Sequence, residues 1–205
     1  MLERRRPGTL QFVSRQSLRV NGGLNNLLKT KKLDKTAEVS WQDSGMLIRE
    51  AVPGDANAIW RILEPIICAG ETYPLPRDMD RESALAYWFS PGQEVFVAEN
   101  NGEIVGTYFL KANQKGGGAH VANCGYMTAP HATGRGVARA MCAHSLERAR
   151  ERGFRGMQFN FVVSTNERAV RLWQKFGFEI VGRLPKAFDH PTCGLVDAYI
   201  MYREL

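Results

Sequence analysis

The sequence predicts a mixed α/β domain in which a central sheet is covered by helices on both faces. Short apolar stretches of strand length alternate along the chain with longer stretches whose apolar residues recur at helical spacing. A glycine turn, Gly134-Arg135-Gly136, also joins one of these strands directly to the start of a helix. An alternation of this kind is typical of a sheet packed between helices.

Length and composition are consistent with one globular domain. The chain has 205 residues, of which 44% are hydrophobic, so it can bury a sizeable core. No apolar run approaches the roughly 18 residues that suggest a membrane-spanning helix, and no secretory leader pattern is seen. The four cysteines show neither CxxC pairing nor a His/Cys ligand spacing. We therefore expect a cytoplasmic protein with reduced thiols, no metal site and no membrane contact.

The positive charge is concentrated at the beginning of the chain. Residues 1–45 hold nine Lys and Arg against four Asp and Glu, whereas residues 46–205 hold eighteen against seventeen. The first segment has few large apolar side chains, which predicts a poorly ordered extension with a short helix near 24–32. It could be a basic arm for nucleic acid or an acidic partner, a solvated extension, or a stretch upstream of a start at Met46. The nearly neutral remainder gives no indication of nucleic-acid binding.

The first half of the domain is divided by turn and helix-start signals. Strand 47–51 is followed by a helix that starts at Pro53-Gly54-Asp55 and is broken by the loop 70–76. A second helix is predicted over 78–89, stopped by Ser90-Pro91-Gly92. Strands 94–99 and 103–112 follow, joined by Asn100-Asn101-Gly102, which is a strong hairpin signal.

The second half continues the alternation around the glycine turn. We predict, in order, strand 120–128, helix 136–152, strand 157–164, helix 166–176, and the final strands 178–182 and 196–202. Gly153 and Gly177 end the two helices. The segment 185–194 is interpreted as a loop that, together with loop 70–76, is long enough to cover a site.

The glycine turn is a candidate anion site. Gly134 and Gly136 allow positive φ and a close approach of the backbone to a ligand. The helix that follows presents unpaired N–H groups from about Arg135 to Arg139, which suit a phosphate or pyrophosphate. The spacing matches neither a Rossmann nor a P-loop motif. A glycine-bounded loop without a ligand is the alternative interpretation.

Several motifs in one order carry a family resemblance. Thr128-Ala129-Pro130, the turn with its Val137-Ala138 continuation, and the run from Asn166 to Phe178 resemble the GCN5-related N-acetyltransferase (GNAT) superfamily over about residues 46–205. The resemblance implies a mostly antiparallel sheet of six to seven strands. It also implies an enzyme that transfers the acetyl group of acetyl-CoA directly to an amine. Homodimers are common in that superfamily.

The same resemblance implies residues for the cofactor. Met127 and Thr128 would bind the pantetheine arm through the backbone, and Asn166 would meet the far end of the cofactor. The pyrophosphate would be held by the residues of the turn and the helix start: Gly134, Arg135, Gly136, Val137, Ala138 and Arg139.

The chain departs from the family pattern at two positions. Thr133 stands where the turn usually opens with Gln or Arg, which removes a side-chain contribution but leaves the backbone amides. Trp173 stands where the family often has a Tyr that protonates the leaving thiolate, and an indole N–H is not a useful acid. Tyr126 and Tyr73 are alternative acids. A thiolate with a pKa near 8.5 can also leave without one.

Two asparagines, Asn123 and Asn160, lie within apolar strands, where asparagine is disfavoured. A buried amide without partners costs about 1–3 kcal/mol. With Asn166, the pair resembles yeast acetyltransferases that act on azetidine-2-carboxylate, a proline analogue. In that interpretation they orient the amine or a water, or bind a substrate carboxylate. The alternative is that each satisfies a backbone group at a β-bulge.

Other candidate residues lie outside these strands. Glu71, in the loop after the first helix, is a candidate base or amine-binding carboxylate, and a solvated glutamate is the alternative. His120, at the start of a strand, is a further candidate for catalysis. Arg77 and Asp78 could equally form a surface pair.

Three functions follow from this reasoning. The chain could be an N-acetyltransferase for a small-molecule amine such as an amino acid, an imino acid or a toxic amine. It could instead acetylate proteins, which requires an open and often acidic groove. The third alternative is an acetyl-CoA-binding module without catalysis. The predicted loops over the site favour the small-molecule enzyme.

Overall fold

The computed structural model describes residues 45–205, so the predicted extension lies outside the described residues except for Gly45. The strands of this part are β1 (Met46–Glu50), β2 (Glu94–Asn100), β3 (Glu103–Ala112), β4 (Val121–Thr128), β5 (Gly156–Val163), β6 (Glu179–His190) and β7 (Gly194–Glu204). The α-helices are α1 (Ala56–Ala69), α2 (Arg81–Trp88), α3 (Val137–Glu151) and α4 (Glu167–Lys175). Across residues 45–205, no helix is long and apolar enough to cross a membrane.

Local signals account for most element boundaries. In the β2–β3 hairpin, Asn101 and Gly102 have φ of 51° and 80°, as expected for the tight turn that Asn-Gly favours. Helix α2 begins later than predicted because Asp80 acts as its N-cap. The Oδ1 of Asp80 accepts the N–H of Ser83 at 2.8 Å.

The seven strands form one sheet in the order β1-β2-β3-β4-β5-β7-β6. β4 and β5 are parallel, and the other neighbouring strands are antiparallel. The predicted mixed, mostly antiparallel sheet is therefore confirmed.

Successive side chains along β3 point to opposite faces of the sheet. Gly106 and Tyr108 face α3, since a Cβ built on Gly106 would lie 2.6 Å from Val137. Thr107 points the other way and accepts a hydrogen bond from the indole of Trp88 in α2 at 3.0 Å. We refer to these as the α3 face and the α1–α2 face. Helices thus cover both faces, as predicted.

The segment 185–194 is not the loop that the sequence predicted. β6 continues to His190, and only a short turn separates it from β7. Its pairing with β7 shifts register between Leu184 and Phe188, where Pro185 lacks an N–H for the ladder. Phe188 and His190 beyond the shift are buried, and this burial extends the strand.

A partly buried tyrosine–histidine pair on the α3 face predicts a pH dependence of stability. The Tyr108 hydroxyl lies 2.6 Å from Nδ1 of His144, and burial lowers the pKa of His144 below its ordinary value of 6.5. The unfolded chain then binds more protons, so stability is lost as the pH falls from about 6.5 through the folded-state pKa. We expect Tm to fall less on acidification in His144→Gln than in the wild-type protein.

His120→Gln is the matched control for this prediction, because His120 is an exposed histidine outside the core. It should keep the wild-type dependence of Tm on pH. Equal slopes for His144→Gln and the wild type would contradict the prediction.

Candidate active site

The parallel strands β4 and β5 run side by side only at their first residues. Their pairing is limited to Val121 with Gly156 and Ala122 with Met157. Immediately beyond, the side-chain amide of Asn123 donates to the main-chain oxygen of Gln158, 2.8 Å away. The strands diverge from this point and leave the remainder of β4 with an open edge.

The main chain of β4 presents hydrogen-bond donors along the open edge. The N–H of Ala129 donates to the carbonyl of Val105 beside β3 at 2.9 Å, and β4 keeps register with β3. Because N–H groups alternate between the two edges of a strand, those of Thr128 and Tyr126 face the open edge. Met127 directs its N–H toward β3 and buries its side chain. Of the two residues predicted for the pantetheine arm, only Thr128 offers its N–H to the opening.

The turn after β4 places free amides beside this edge. Gly134 and Gly136 adopt left-handed φ of 86° and 84°. The N–H of Ala140 donates to the carbonyl of Gly136 at 2.9 Å, which begins the helical ladder of α3. Within the described residues, the N–H groups of 136–139 have no acceptor. Free amides at a helix start suit a phosphate or pyrophosphate, and their contact with the cofactor stays a prediction.

Arg135 departs from that prediction. Its N–H donates to the carbonyl of Ala132 at 3.3 Å, because a short 3-10 turn over Pro130–Ala132 brings this carbonyl under the glycine turn. The free amides therefore begin at residue 136. Arg135 still contributes an exposed side chain to the mouth of the turn.

A second cation that no local motif predicts lies at the same turn. A Cβ built on Gly134 would lie 3.5 Å from Nη2 of Arg168, near the start of α4. Asn166 is the N-cap of that helix, and its Oδ1 accepts the N–H of Ala169 at 3.3 Å. Asn166 thereby fixes the helix start that carries Arg168. Direct contact between Asn166 and a cofactor stays a prediction.

The two asparagines of the strands have different environments. Asn123 is buried, with 8% of its surface exposed, and its side-chain amide donates a hydrogen bond to a backbone carbonyl. Asn160 is exposed, so the expectation that it is buried is wrong. The physical reason is the register shift between Phe159 and Val162, which interrupts the pairing of β5 with β7 around Asn160.

Asn160 belongs to a chain of side-chain amides. Its nitrogen donates to Oδ1 of Asn113 at 2.7 Å, and its own Oδ1 accepts from Nε2 of Gln158 at 2.8 Å. We call Asn113, Asn123, Gln158 and Asn160 the amide cluster. The ring of Phe159 packs on α4, so Gln158 on the same strand points to the opposite, α1–α2 face.

The two tyrosine candidates lie on opposite faces of the sheet. The Tyr73 hydroxyl donates to the main-chain carbonyl of Tyr126 at 2.9 Å and ties the loop 70–80 to the open edge. The Tyr126 hydroxyl lies 2.7 Å from Oγ of Ser145 on α3. Burial raises the pKa of both phenols. Only Tyr73 lies on the side of the amide cluster.

The remaining candidates have simpler settings. Trp173 is buried against the rings of Tyr126 and Phe159, with centroids 5.0 and 5.1 Å away, so it fills the core beneath the diverging strands. Glu71 is exposed in the loop that Tyr73 anchors.

Two further candidates make local contacts. His120 is exposed, and its Nδ1 lies 3.0 Å from the carbonyl of Gly117. Arg77 donates to the carbonyl of Cys68 at 2.9 Å, which ties the loop to the end of α1. In the described range the ion pairs do not include Arg77 with Asp78.

Comparison with known proteins gives a consistent result. The Acetyltransferase (GNAT) family model matches residues 60–178. L-amino acid N-acetyltransferase AaaT of Escherichia coli is 31% identical over 78% of this chain and 98% of its own length. N-acetyltransferase aca1 of Schizosaccharomyces pombe is 29% identical over 64% of this chain and 71% of its own.

The fold agrees with solved structures. A GCN5-related N-acetyltransferase from Kribbella flavida has a TM-score of 0.76 and 40% identity, covering 80% of this chain and 99% of that chain. Other structures of this fold contain acetyl-CoA. The open edge of β4 and the free amides of the adjoining turn fit this ligand, because they offer main-chain donors to an extended arm and to a pyrophosphate. The chain therefore belongs to the GNAT family and is an N-acetyltransferase with acetyl-CoA as its acetyl donor.

Proposed function

We propose that this enzyme acetylates the amine of a small amino or imino acid. The observation that carries the proposal is the amide cluster, which places uncharged donors and acceptors beside the open edge of β4. Such groups suit a small polar zwitterion, whereas a basic peptide favours an acidic groove. The similarity to a relative named as an L-amino acid N-acetyltransferase supports the same substrate class.

The donor side of the site follows from the main chain. We assign the pyrophosphate to the free N–H groups of 136–139, where the helix dipole adds to the hydrogen bonds. The N–H of Thr128 at the open edge donates a hydrogen bond to the pantetheine arm. Arg168 and Arg135 add positive charge at the mouth of the turn.

The chemistry is a direct transfer. Acetyl-CoA supplies the acetyl group as a thioester. The acceptor nitrogen attacks the carbonyl carbon of this thioester and forms a C–N bond, while the C–S bond breaks and the CoA thiolate leaves. The N–H of Tyr126 at the open edge can donate to the oxyanion that develops. Glu71, or a water ordered by Asn123 and Asn160, takes the proton of the amine. With a pKa near 8.5, a thiolate can leave without the acid that Trp173 replaces.

The test is release of free CoA thiol by the full chain with acetyl-CoA and a panel of acceptors. The panel contains azetidine-2-carboxylate, proline, ordinary amino acids, aminoglycosides, polyamines and basic peptides. We expect turnover on amino or imino acids. Turnover on peptides alone would refute the proposal.

Arg168 provides a separate test of the donor side. We expect Arg168→Met to weaken acetyl-CoA binding about two- to fivefold, the effect of one exposed charge near a phosphate. The effect should shrink as salt is raised, because exposed charges are screened. Isothermal titration calorimetry at two salt concentrations measures both effects.

The control for this prediction is Arg171→Met on the same helix. Arg171 pairs with Glu167 at 2.8 Å and is also exposed. The control should bind acetyl-CoA as the wild type does. Equal losses of acetyl-CoA affinity in the two variants would show that the affinity depends on the total charge near α4 and not on the position of Arg168.

A further inference from the structure

One lysine on the α1–α2 face of the sheet lies beside the amide cluster. Lys111 of β3 pairs in register with Asn123 of the amide cluster. It follows Phe109 by two residues, so its side chain lies on the α1–α2 face together with that ring. Lys111 is half-buried, whereas Lys115 in the next turn is exposed.

The position of the Lys111 ammonium is given by its contact with Phe109. Its Nζ lies 5.4 Å from the centroid of the Phe109 ring. That ring covers Gly125 of β4, since a Cβ built on Gly125 would lie 2.6 Å from Phe109 Cε1 and 3.1 Å from the Tyr73 hydroxyl. The ammonium is therefore held beside the part of β4 where Tyr73 meets the open edge.

No protein carboxylate neutralises this ammonium in the part of the chain that the structure describes. The ion pairs among residues 45–205 involve other cations, namely Arg49, His131, Arg148, Arg152, Arg171 and Arg183. A half-buried ammonium packed on an aromatic ring and next to side-chain amides is well suited to an anionic group of a ligand.

We propose that Lys111 determines acceptor specificity by binding the carboxylate of the amino or imino acid. This inference rests on the proposed function and deepens it. An α-amino acid carries its amine one carbon from its carboxylate, so a carboxylate held by Lys111 places the amine near Asn123 and the open edge. The same positive charge repels polyamines and aminoglycosides, which carry several ammonium groups and no carboxylate.

The test compares an amino acid that the enzyme accepts with the corresponding amino acid amide. The two acceptors share the amine and differ in the carboxylate, and rates are referred to the concentration of neutral amine. In the wild-type enzyme we expect kcat/KM to favour the acid about 10- to 150-fold, the range of a hydrogen bond to a charged group. Lys111→Met should bring the ratio close to one through a higher KM for the acid, while KM for the amide and acetyl-CoA binding stay unchanged.

Two variants serve as controls. Lys111→Arg keeps the cation and should retain most of the preference for the acid. Lys115→Met removes a lysine charge outside the site and should retain all of it. If Lys111→Met does not fold, a wild-type ratio near one would still overturn the proposal, and loss of the preference in Lys111→Gln would support it.

The outcomes separate the two proposals. An unchanged ratio in Lys111→Met, or a wild-type ratio near one, would overturn the role of Lys111 while the enzyme still acetylates amino acids. Acetylation of peptides alone would overturn the proposed function and this inference with it.

Discussion

Gly106→Val is expected to displace the start of α3 and to lower turnover about 100-fold. A Cβ at this position would lie 2.6 Å from Cγ1 of Val137 and 3.0 Å from Sδ of Met141. Val137 is the first residue of α3, so relief of the clash moves the helix start, and its free amides, away from β4. Displacing a positioned group by about 1 Å can cost about 100-fold in rate.

The same substitution should reduce stability. Overpacking a close-packed core typically costs about 1–3 kcal/mol. Denaturant titration measures this cost, and calorimetry with acetyl-CoA measures the loss of cofactor affinity. Saturating acetyl-CoA should restore part of the turnover, because the defect lies in the donor site.

Gly117→Val is the matched control for Gly106→Val. Gly117 has a negative φ, and a Cβ at this position would meet nothing within 4 Å. The control should keep wild-type acetyl-CoA affinity and stability within about 0.5 kcal/mol. Normal cofactor affinity in Gly106→Val would show that α3 can shift without disturbing the anion site.

Asn123→Ala is expected to affect both stability and turnover. Its side-chain nitrogen is the hydrogen-bond donor that joins β4 to the carbonyl of Gln158 where the strands separate. Loss of this donor leaves a carbonyl without its partner at a cost of about 1–3 kcal/mol. The diverging strands would then change their spacing, and turnover should fall about 100-fold.

Two further substitutions distinguish positioning from catalysis. Asn123→Asp keeps the shape and removes the N–H donor, so it should resemble Asn123→Ala in both measurements. Asn160→Ala changes an exposed side chain, so stability should stay within about 0.5 kcal/mol. Lower turnover in Asn160→Ala at unchanged acetyl-CoA affinity would support its proposed role in orienting the amine.

Asn123 variants that remain fully stable would contradict the expectation that this hydrogen bond stabilises the junction of β4 with β5. Stable variants with low turnover would instead indicate that Asn123 acts on the acceptor directly. Denaturant titration and thiol release, measured on the same samples, distinguish these results.

The sequence alone was sufficient to predict most of the elements and the free amides at the start of α3. Strand and helix periodicity, the Asn101-Gly102 turn, and the glycines before α3 are local signals, and each acts through a few neighbouring residues. The start of α3 could be predicted because the free amides of 136–139 depend only on the turn that precedes them. The prediction was one residue too early because Ala132 accepts the N–H of Arg135.

Only the tertiary structure decided which side chains meet in the site. Asn123 finds its acceptor 35 residues away, and Arg168 reaches the turn at Gly134 from another helix. The exposure of Asn160 depends on a register shift against β7, and the position of Lys111 depends on the pairing of β3 with β4. The length of β6 likewise comes from pairing with β7 beyond Pro185. These features arise from packing between distant segments, whereas periodicity and turn propensity describe only a local stretch of chain.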